Sequence, residues 1–255
     1  MWMYQAWLSK MASYETFAKI YDEVMDDQLY EEWLAFTKRH LPKNPKRILE
    51  LACGTGILSV KLAQAGFDVT GLDLSSEMVE LAKKREAEFE SGAKFIEGDM
   101  LELSDDTLYD AVTCYSDSLC YMPDKEALLQ AFAGVYLSLK ENGQFIFDVH
   151  SIYQIEELFK EYSYHYQTDE FAFLWESYPG EVDFSVEHFL TFFVQDEKDE
   201  KFTRFDELHE ERTYPIETYR ELLEQVGFKS VEVLADFTDD APEETSKRWF
   251  FVCHK

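Results

Sequence analysis

The chain has 255 residues, of which 46% are hydrophobic, and a formal net charge of −28. This length and apolar content predict one well-cored domain with room for an insertion, and they exclude a disordered chain. No apolar run approaches the roughly 20 residues that a membrane-spanning helix needs. The negative charge argues against a nucleic-acid substrate, because a phosphate backbone favours a basic surface.

The four cysteines show no C-x-x-C pairing: Cys53, Cys114, Cys120 and Cys253. We expect buried free thiols in a cytoplasmic protein, not disulfides or a zinc site. The first ten residues lack a basic start and a small-residue cleavage site, so no signal peptide is predicted. Met11-Ala12-Ser13-Tyr14 resembles a natural start, and residues 1–10 are therefore expected to add nothing to the active site.

Two helices are predicted ahead of the first strand. Apolar residues recur at helical spacing between Tyr14 and Met25, and a second helix covers residues 30–40. Pro42 and Pro45 then mark a linker. We expect residues 1–40 to form an N-terminal helical segment.

Strands and helices alternate after this linker. Strands are predicted at 47–51, 67–72, 94–97, 109–115 and 144–149, with helices at 57–65, 75–90 and 123–140. A further helix at 215–226 and two strands at 230–235 and 248–254 follow later in the chain. Such alternation requires a parallel sheet covered on both faces, so an α/β core is expected over residues 41–150 and 214–255.

The pattern changes between residues 151 and 213. Three extended stretches, at 171–178, 182–195 and 202–213, predict a three-stranded antiparallel sheet inserted into the core. Its aromatic residues are Phe171, Phe173, Trp175, Phe189 and Phe193. They either enclose a flat or apolar acceptor, form the small core that such a sheet needs, or make a dimer contact.

The most informative motif is Glu50-Leu51-Ala52-Cys53-Gly54-Thr55-Gly56, with Asp73 following Glu50 by 23 residues. Glycines let the backbone pass close under a ligand, and an acid at the next strand end can accept two hydrogen bonds from a ribose. A dinucleotide site has a third glycine where this chain has Ser59, and Glu50 would repel a diphosphate. A nicotinamide oxidoreductase is therefore disfavoured.

This E-x-x-x-G-x-G run resembles the first motif of the class I S-adenosylmethionine-dependent methyltransferases. The N-terminal F-A-x-x-Y-D segment at residues 17–22 is similar to that family too, and the match is closest to small bacterial methyltransferases of unknown substrate. The resemblance implies a Rossmann-like sheet of seven strands, the last one antiparallel. It also implies S-adenosylmethionine as the cofactor and S-adenosylhomocysteine as its product.

The resemblance further implies a set of donor-binding residues. Glu50 would hold the donor's ammonium, and the backbone of Ala52, Gly54 and Gly56 would underlie its adenosine and methionine parts. Asp73 would hold the ribose, Leu74 and Met100 would pack on the adenine, and Asp99 would accept from the adenine amine. Ser116 would offer its carbonyl to the amino group, and Tyr21 would cover the methionine part. The structural alternatives are a strand-end acid for Glu50, an ordinary turn for Asp99 and a helix-core residue for Tyr21.

Two candidate catalytic residues flank the expected acceptor position. Asp117 either positions the acceptor or caps the next turn. His150 is either a general base suited to neutral pH or a structural histidine. Glycine N-methyltransferase, a looser relative, has a carboxylate-binding arginine after its fifth strand, whereas this chain has none between Val149 and Arg204. No metal is assigned, because the clustered acids of metal-dependent O-methyltransferases are not evident.

Together these observations predict methyl transfer by in-line displacement to an unidentified, small-molecule acceptor. Two alternatives remain open: a protein or RNA methyltransferase, and a non-enzymatic module that binds S-adenosylmethionine or its product. A homodimer also remains open.

Overall fold

The structure is a computed structural model, and it describes residues 27–103, 107–196 and 201–255. Three sequence-based expectations lie outside these ranges. They are the helix predicted between Tyr14 and Met25, the donor-covering role of Tyr21, and the dispensability of residues 1–10.

The described chain begins with helix α1, Asp27–His40. The first half of the core then alternates as β1 Arg47–Leu51, α2 Ile57–Gln64, β2 Asp68–Asp73, α3 Ser76–Phe89 and β3 Lys94–Glu97. It continues as β4 Tyr109–Cys114, α4 Lys125–Ser138 and β5 Leu139–His150. After the inserted segment come α5 Ile216–Val226, β10 Ser230–Ala235 and β11 Arg248–His254.

The core strands form one seven-stranded sheet in the order β10-β11-β5-β4-β1-β2-β3. Strands β1 to β5 pair in parallel, whereas β11 runs antiparallel to both β5 and β10. This confirms the predicted α/β sheet of seven strands with an antiparallel end. Because parallel strands end at a common edge, the residues that follow β1, β2, β4 and β5 meet there.

Apolar side chains fill both faces of this sheet, which explains why its central strands are almost continuously hydrophobic. On one face, Phe147 and Phe251 of the sheet pack with Phe132 of α4 and Tyr219 of α5. On the other face, Ile48 and Phe250 of the sheet pack with Trp33 and Phe36 of α1. Strand β11 contributes to both layers, because its side chains alternate between the two faces.

The inserted segment contains four antiparallel strands, where the sequence predicts three. They are β6 Ser163–Gln167, β7 Phe171–Pro179, β8 Ser185–Gln195 and β9 Phe202–Arg212, in that order across the sheet. The unpredicted strand is β6, an edge strand whose five residues are all exposed. It buries no face, so its sequence S-Y-H-Y-Q carries no alternation to detect.

The two faces of the inserted sheet differ in character. Phe171 and Phe173 lie on a buried inner face with Phe192 and Phe205, and the Phe173 and Phe192 rings stack with their centroids 4.9 Å apart. Phe189 lies on the opposite face and is exposed. Part of the aromatic set therefore forms the small core that the sheet needs.

The inner face continues toward the main sheet. Glu211 on β9 is within ion-pair distance of His150 at the end of β5, and the Thr213 hydroxyl donates to the His150 carbonyl at 2.7 Å. The inserted sheet is thereby joined to the edge where the parallel strands end. Within residues 27–103, 107–196 and 201–255, no helix is long and apolar enough to span a membrane.

Candidate active site

The turn after β1 contains three residues with left-handed backbone: Ala52 at φ 51°, Gly54 at φ 53° and Gly56 at φ 78°. The two glycines have different surroundings. A Cβ added to Gly54 would meet no atom within 4 Å, whereas one added to Gly56 would lie 2.7 Å from Phe95 Cζ. Gly54 thus leaves space above the backbone, while Gly56 permits close packing of the turn on the sheet.

Glu50, at the end of β1, is an acid held in the protein interior. Its residue surface is only 5% exposed, and the Ser59 hydroxyl donates a hydrogen bond to its carboxylate. Burial, with a further contribution from nearby Asp73, raises the pKa of Glu50 to about 8, although the Ser59 bond opposes the shift. A cation bound beside Glu50 would therefore stabilise the ionised carboxylate, which burial otherwise disfavours.

Asp73 closes the same turn from the end of β2. Its two carboxylate oxygens accept backbone hydrogen bonds, one from Gly54 N at 2.8 Å and one from Ser75 N at 2.9 Å. Burial raises the pKa of Asp73, and these backbone bonds oppose the shift. Each oxygen retains a second lone pair, so the carboxylate can hold the turn and accept hydroxyl groups together.

A pocket opens between this turn and helix α1. Its lining residues are Tyr30, Trp33, Glu50, Ala52, Cys53, Gly54, Leu58, Tyr115 and Ser116. Of the predicted donor residues, Glu50, Ala52, Gly54 and Ser116 meet in this pocket. Tyr30, Trp33 and Tyr115 were not singled out in the sequence, because aromatic residues at helical spacing or in a strand equally indicate core packing.

The remaining predicted donor residues lie along the sheet edge. Leu74 is 67% exposed, directly after Asp73. Asp99 accepts a hydrogen bond from Leu101 N at 2.8 Å and so caps the short helix that begins at Met100. The structure therefore gives Asp99 a local structural contact, and its second oxygen still has acceptor capacity.

The turn after β4 is strained at two successive positions. Ser116 and Asp117 both have left-handed backbone, with φ of 56° and 53°, a conformation that costs roughly 1–2 kcal/mol for a residue with a side chain. The Asp117 amide donates to Asp148 Oδ1 at 3.1 Å, which fixes this unusual turn on β5. In this conformation Asp117 Oδ2 lies 3.2 Å from His150 Nε2.

Arg248, at the start of β11, lies between two acids. Its Nη1 is 2.8 Å from Asp148 Oδ2 and also pairs with Asp117 Oδ1, while the Trp33 indole donates to Asp148 Oδ2 at 2.7 Å. Burial alone would raise the pKa of Asp117, but Arg248 and His150 outweigh it and hold that pKa well below its usual range. No sequence motif indicates this pairing, because Arg248 is 100 residues from Asp148.

His150 stands on the other side of Asp117. Its Nε2 is 3.2 Å from Asp117 Oδ2 and 3.4 Å from Glu211 Oε2. Burial raises the pKa of Glu211, and the nearby His150 opposes this shift. The structure therefore brings together both predicted catalytic residues and adds Glu211, which the sequence did not identify. Alternation along β9 places Phe205, Glu207, His209 and Glu211 on one face, but the sequence does not show that this face turns inward.

Known proteins support the family suggested by this geometry. A family model described as a methyltransferase domain matches residues 48–143. A methyltransferase-family protein of Geobacillus sp. (strain WCH70) is 41% identical over 247 residues, which cover 95% of this chain and 100% of that protein.

Solved structures agree with this relationship. A S-adenosylmethionine-dependent methyltransferase from Clostridium acetobutylicum ATCC 824 has a TM-score of 0.80 and 29% identity over 94% of this chain and 98% of its own. CalS10, an amino pentose methyltransferase from Micromonospora echinaspora with S-adenosylmethionine bound, has a TM-score of 0.72 and 18% identity. It covers 93% of this chain and 95% of its own, and it shows a likeness of fold.

The site suits the cofactor of these proteins. The open space at Gly54 admits a ligand against the backbone, and the buried Glu50 carboxylate favours the cationic part of a donor that carries an ammonium and a sulfonium. The chain therefore belongs to the S-adenosylmethionine-dependent methyltransferases, and its cofactor is S-adenosylmethionine.

Proposed function

We propose that this protein methylates a small-molecule acceptor held between the edge of the main sheet and the inner face of the inserted sheet. The observation that carries the proposal is the buried polar group formed by Asp117, His150 and Glu211, where these two sheets join. A buried set of polar side chains that converge in this way is typical of a site for a small polar ligand. We propose that the core of residues 41–150 and 214–255 holds the donor, and that residues 151–213 wall the acceptor.

In this proposal the donor residues act by binding and orientation. Glu50 pairs with the ammonium, directly or through a water molecule. The backbone of Ala52 and Gly54 lies under the adenosine and methionine parts of the donor. Asp73 accepts the ribose hydroxyls, and Ser116 offers its carbonyl. Leu74, Asp99 and Met100 border the adenine, and Gly56 keeps the turn close to the sheet. When bound, S-adenosylmethionine supplies an activated methyl group, so the protein mainly aligns the acceptor and excludes water.

The acceptor side is polar and acidic. Asp117 directly follows Ser116, which lines the donor pocket, and lies 3.2 Å from His150. The fold neighbour CalS10, an amino pentose methyltransferase, supports a small polar acceptor for this architecture. The net charge of −28 disfavours the alternative of an RNA acceptor.

A label-transfer experiment tests the proposal. The purified protein is incubated with methyl-labelled S-adenosylmethionine and a bacterial extract that has been separated into small-molecule, protein and RNA fractions. We expect label in the small-molecule fraction, and none there when Asp73→Ala replaces the wild type. Label confined to protein or RNA would contradict the small-molecule acceptor, and binding of the donor without transfer to any fraction would favour a non-enzymatic module.

A ligand-stabilisation measurement tests the donor separately. S-adenosylhomocysteine should raise the melting temperature, because a ligand that binds only the native state stabilises it by mass action. NAD should leave the melting temperature unchanged. The reverse pattern would contradict the donor assignment.

A further inference from the structure

We propose that Asp117, His150 and Glu211 form a binding site for a divalent metal ion on the acceptor side of the protein. The existence of this site is independent of the proposed function, whereas its use in acceptor binding rests on it. The three residues belong to three separate elements: the turn after β4, the end of β5, and β9 of the inserted sheet. Each offers one ligand atom, and these atoms all lie within 4.8 Å of one another.

Two of the three distances between the ligand atoms fit a shared cation. His150 Nε2 lies 3.2 Å from Asp117 Oδ2 and 3.4 Å from Glu211 Oε2. Nitrogen and oxygen ligands stand about 2.0–2.2 Å from a transition metal, which places neighbouring ligands about 3.0–3.5 Å apart at octahedral or tetrahedral angles. The two measured separations fall in this interval.

Two buried atoms at this position lack a hydrogen bond. Glu211 is 6% exposed and His188 is 3% exposed, and neither Glu211 Oε2 nor His188 Nε2 has a hydrogen-bond partner among the residues that the structure describes. A buried carboxylate oxygen without a donor is costly. A metal ion at this point would coordinate Glu211 Oε2 and offset the free-energy cost of burying that oxygen.

His188 lies beside the Glu211 carboxylate. The Trp175 indole can only donate, and it donates to His188 Nδ1 at 3.1 Å. His188 must therefore carry its proton on Nε2, which lies 3.8 Å from Glu211 Oε1. At 3.8 Å the Nε2 proton is not hydrogen-bonded to Glu211 Oε1, but it faces that carboxylate from the position of an outer partner, because ligating carboxylates in metal sites are themselves hydrogen-bonded.

The arrangement of charged groups around the site favours a bound cation. Arg248 pairs with Asp117 and Asp148, whereas the ion pairs of Glu211 among the described residues are with His150 and His188. Arg248 pairs with Oδ1 of Asp117, so Oδ2 of that residue remains directed toward His150. A divalent ion would pair with the Glu211 carboxylate, with which Arg248 forms no ion pair.

The ligand set selects the kind of metal. One imidazole with two carboxylates suits a first-row divalent ion such as Mn²⁺, Fe²⁺, Co²⁺ or Zn²⁺. Three protein ligands leave coordination positions open, as in catalytic sites. Under the proposed function, an oxygen or nitrogen atom of the acceptor would take one of these positions, beside the strand end that lines the donor pocket.

Metal binding to the untagged, chelator-treated full chain tests the proposal. After dialysis against Zn²⁺ or Mn²⁺, elemental analysis should find about one ion per chain, because the three ligands converge on one point. The metal should also raise the melting temperature. Co²⁺ should give a ligand-field absorption spectrum. Less than about a tenth of an ion per chain and no thermal shift with any of these metals would overturn the proposal.

Variants locate the site. His150→Ala and Glu211→Gln should each abolish the Co²⁺ spectrum, and His188→Gln should weaken metal affinity about tenfold, the size expected for an outer partner. Glu210→Gln is the matched control, because Glu210 adjoins Glu211 on β9 but is exposed on the other face. It should bind metal as the wild type does.

S-adenosylhomocysteine binding separates a lost metal site from a lost fold. All variants should retain donor affinity within a few-fold, since the donor pocket has other lining residues. Unchanged metal binding in both His150→Ala and Glu211→Gln would place the ion elsewhere and overturn the proposal. Stabilisation by a small alkylammonium ion and by no metal would overturn it too, and would assign the three residues to a cationic acceptor.

Discussion

Replacing Glu50 by glutamine should stabilise the donor-free protein and weaken donor binding. The two effects share one cause, the burial of this carboxyl group beside Ser59 and Asp73. In the free protein the charged form of Glu50 is disfavoured, whereas a bound ammonium favours it. The glutamine side chain would keep an oxygen acceptor for the Ser59 hydroxyl and remove the ionisation.

The size of the stability effect follows from the pKa. Glu50 has a pKa of about 8 in the folded protein against 4.5 as its ordinary value. Between these values the folded protein binds more protons than the unfolded chain, so the contribution of Glu50 to the free energy of unfolding falls as pH rises. Each pH unit corresponds to about 1.4 kcal/mol. From about pH 5.5 to about pH 7.5, Glu50→Gln should therefore gain on the order of 2–3 kcal/mol over the wild type.

Denaturant unfolding of both proteins at several pH values measures this difference. Donor binding is followed by calorimetric titration of S-adenosylhomocysteine. Wild-type affinity should rise with pH up to about 8, by as much as tenfold per unit, because only the ionised carboxylate attracts the ammonium. Glu50→Gln should bind at least tenfold more weakly at about pH 8, with little dependence on pH.

Glu97→Gln is the matched control, since Glu97 ends the neighbouring strand β3 at the same sheet edge and is exposed. It should alter neither stability nor donor binding. A stability difference between Glu50→Gln and the wild type that stays constant with pH would refute the reasoning from burial. Equal donor affinity in the two proteins would place the ammonium elsewhere.

Three further predictions follow from the described contacts. Asp73→Ala should weaken S-adenosylhomocysteine binding at least tenfold, because the ribose loses charge-assisted hydrogen bonds worth about 1.5–3 kcal/mol each. Circular dichroism should show that the variant stays folded. An unchanged affinity in calorimetric titration would assign the ribose to another residue. Gly56→Ala should lower the free energy of unfolding by about 2–4 kcal/mol, because backbone strain and overpacking against Phe95 add. Gly54→Ala should lower it by about 1–2 kcal/mol, from strain alone, and should chiefly block donor binding. Equal losses of stability in denaturant unfolding would contradict this distinction. Trp175→Ala, on the inner face of the inserted sheet, should reduce transfer to the acceptor in the labelling assay, while Phe189→Ala on the exposed face should not; loss of donor affinity in Trp175→Ala would reverse the roles of core and insertion.

The main sheet could be predicted because its signals are local. Apolar runs of strand length, helices between them and a glycine turn followed by an acid define each βα unit within about 30 residues. The structure changes the role assigned to one of the two glycines in the turn. Gly56 avoids a clash with Phe95 behind the turn, whereas the sequence reasoning assigned both glycines to the ligand.

The acceptor side could be predicted only in part. Asp117 and His150 follow strand ends, so their proximity follows from the parallel sheet. Arg248 could not be predicted, because its position depends on the pairing of β11 with β5, which sets Arg248 opposite His150. Glu211 required knowledge of which face of β9 turns inward, and its sequence spacing does not distinguish the two faces.

The position of Arg248 has a consequence for the order of folding. Strand β11 is the last strand along the described chain, yet it lies between β5 and β10 in the sheet. During synthesis, the other core strands emerge from the ribosome before it does. A nascent chain that lacks β11 would hold Asp117 and Asp148 without their guanidinium partner, and the strained turn after β4 would lose one of its anchors. The donor turn between β1 and β2 can form earlier, so the protein should acquire its two half-sites at different times, with the acceptor half completed last.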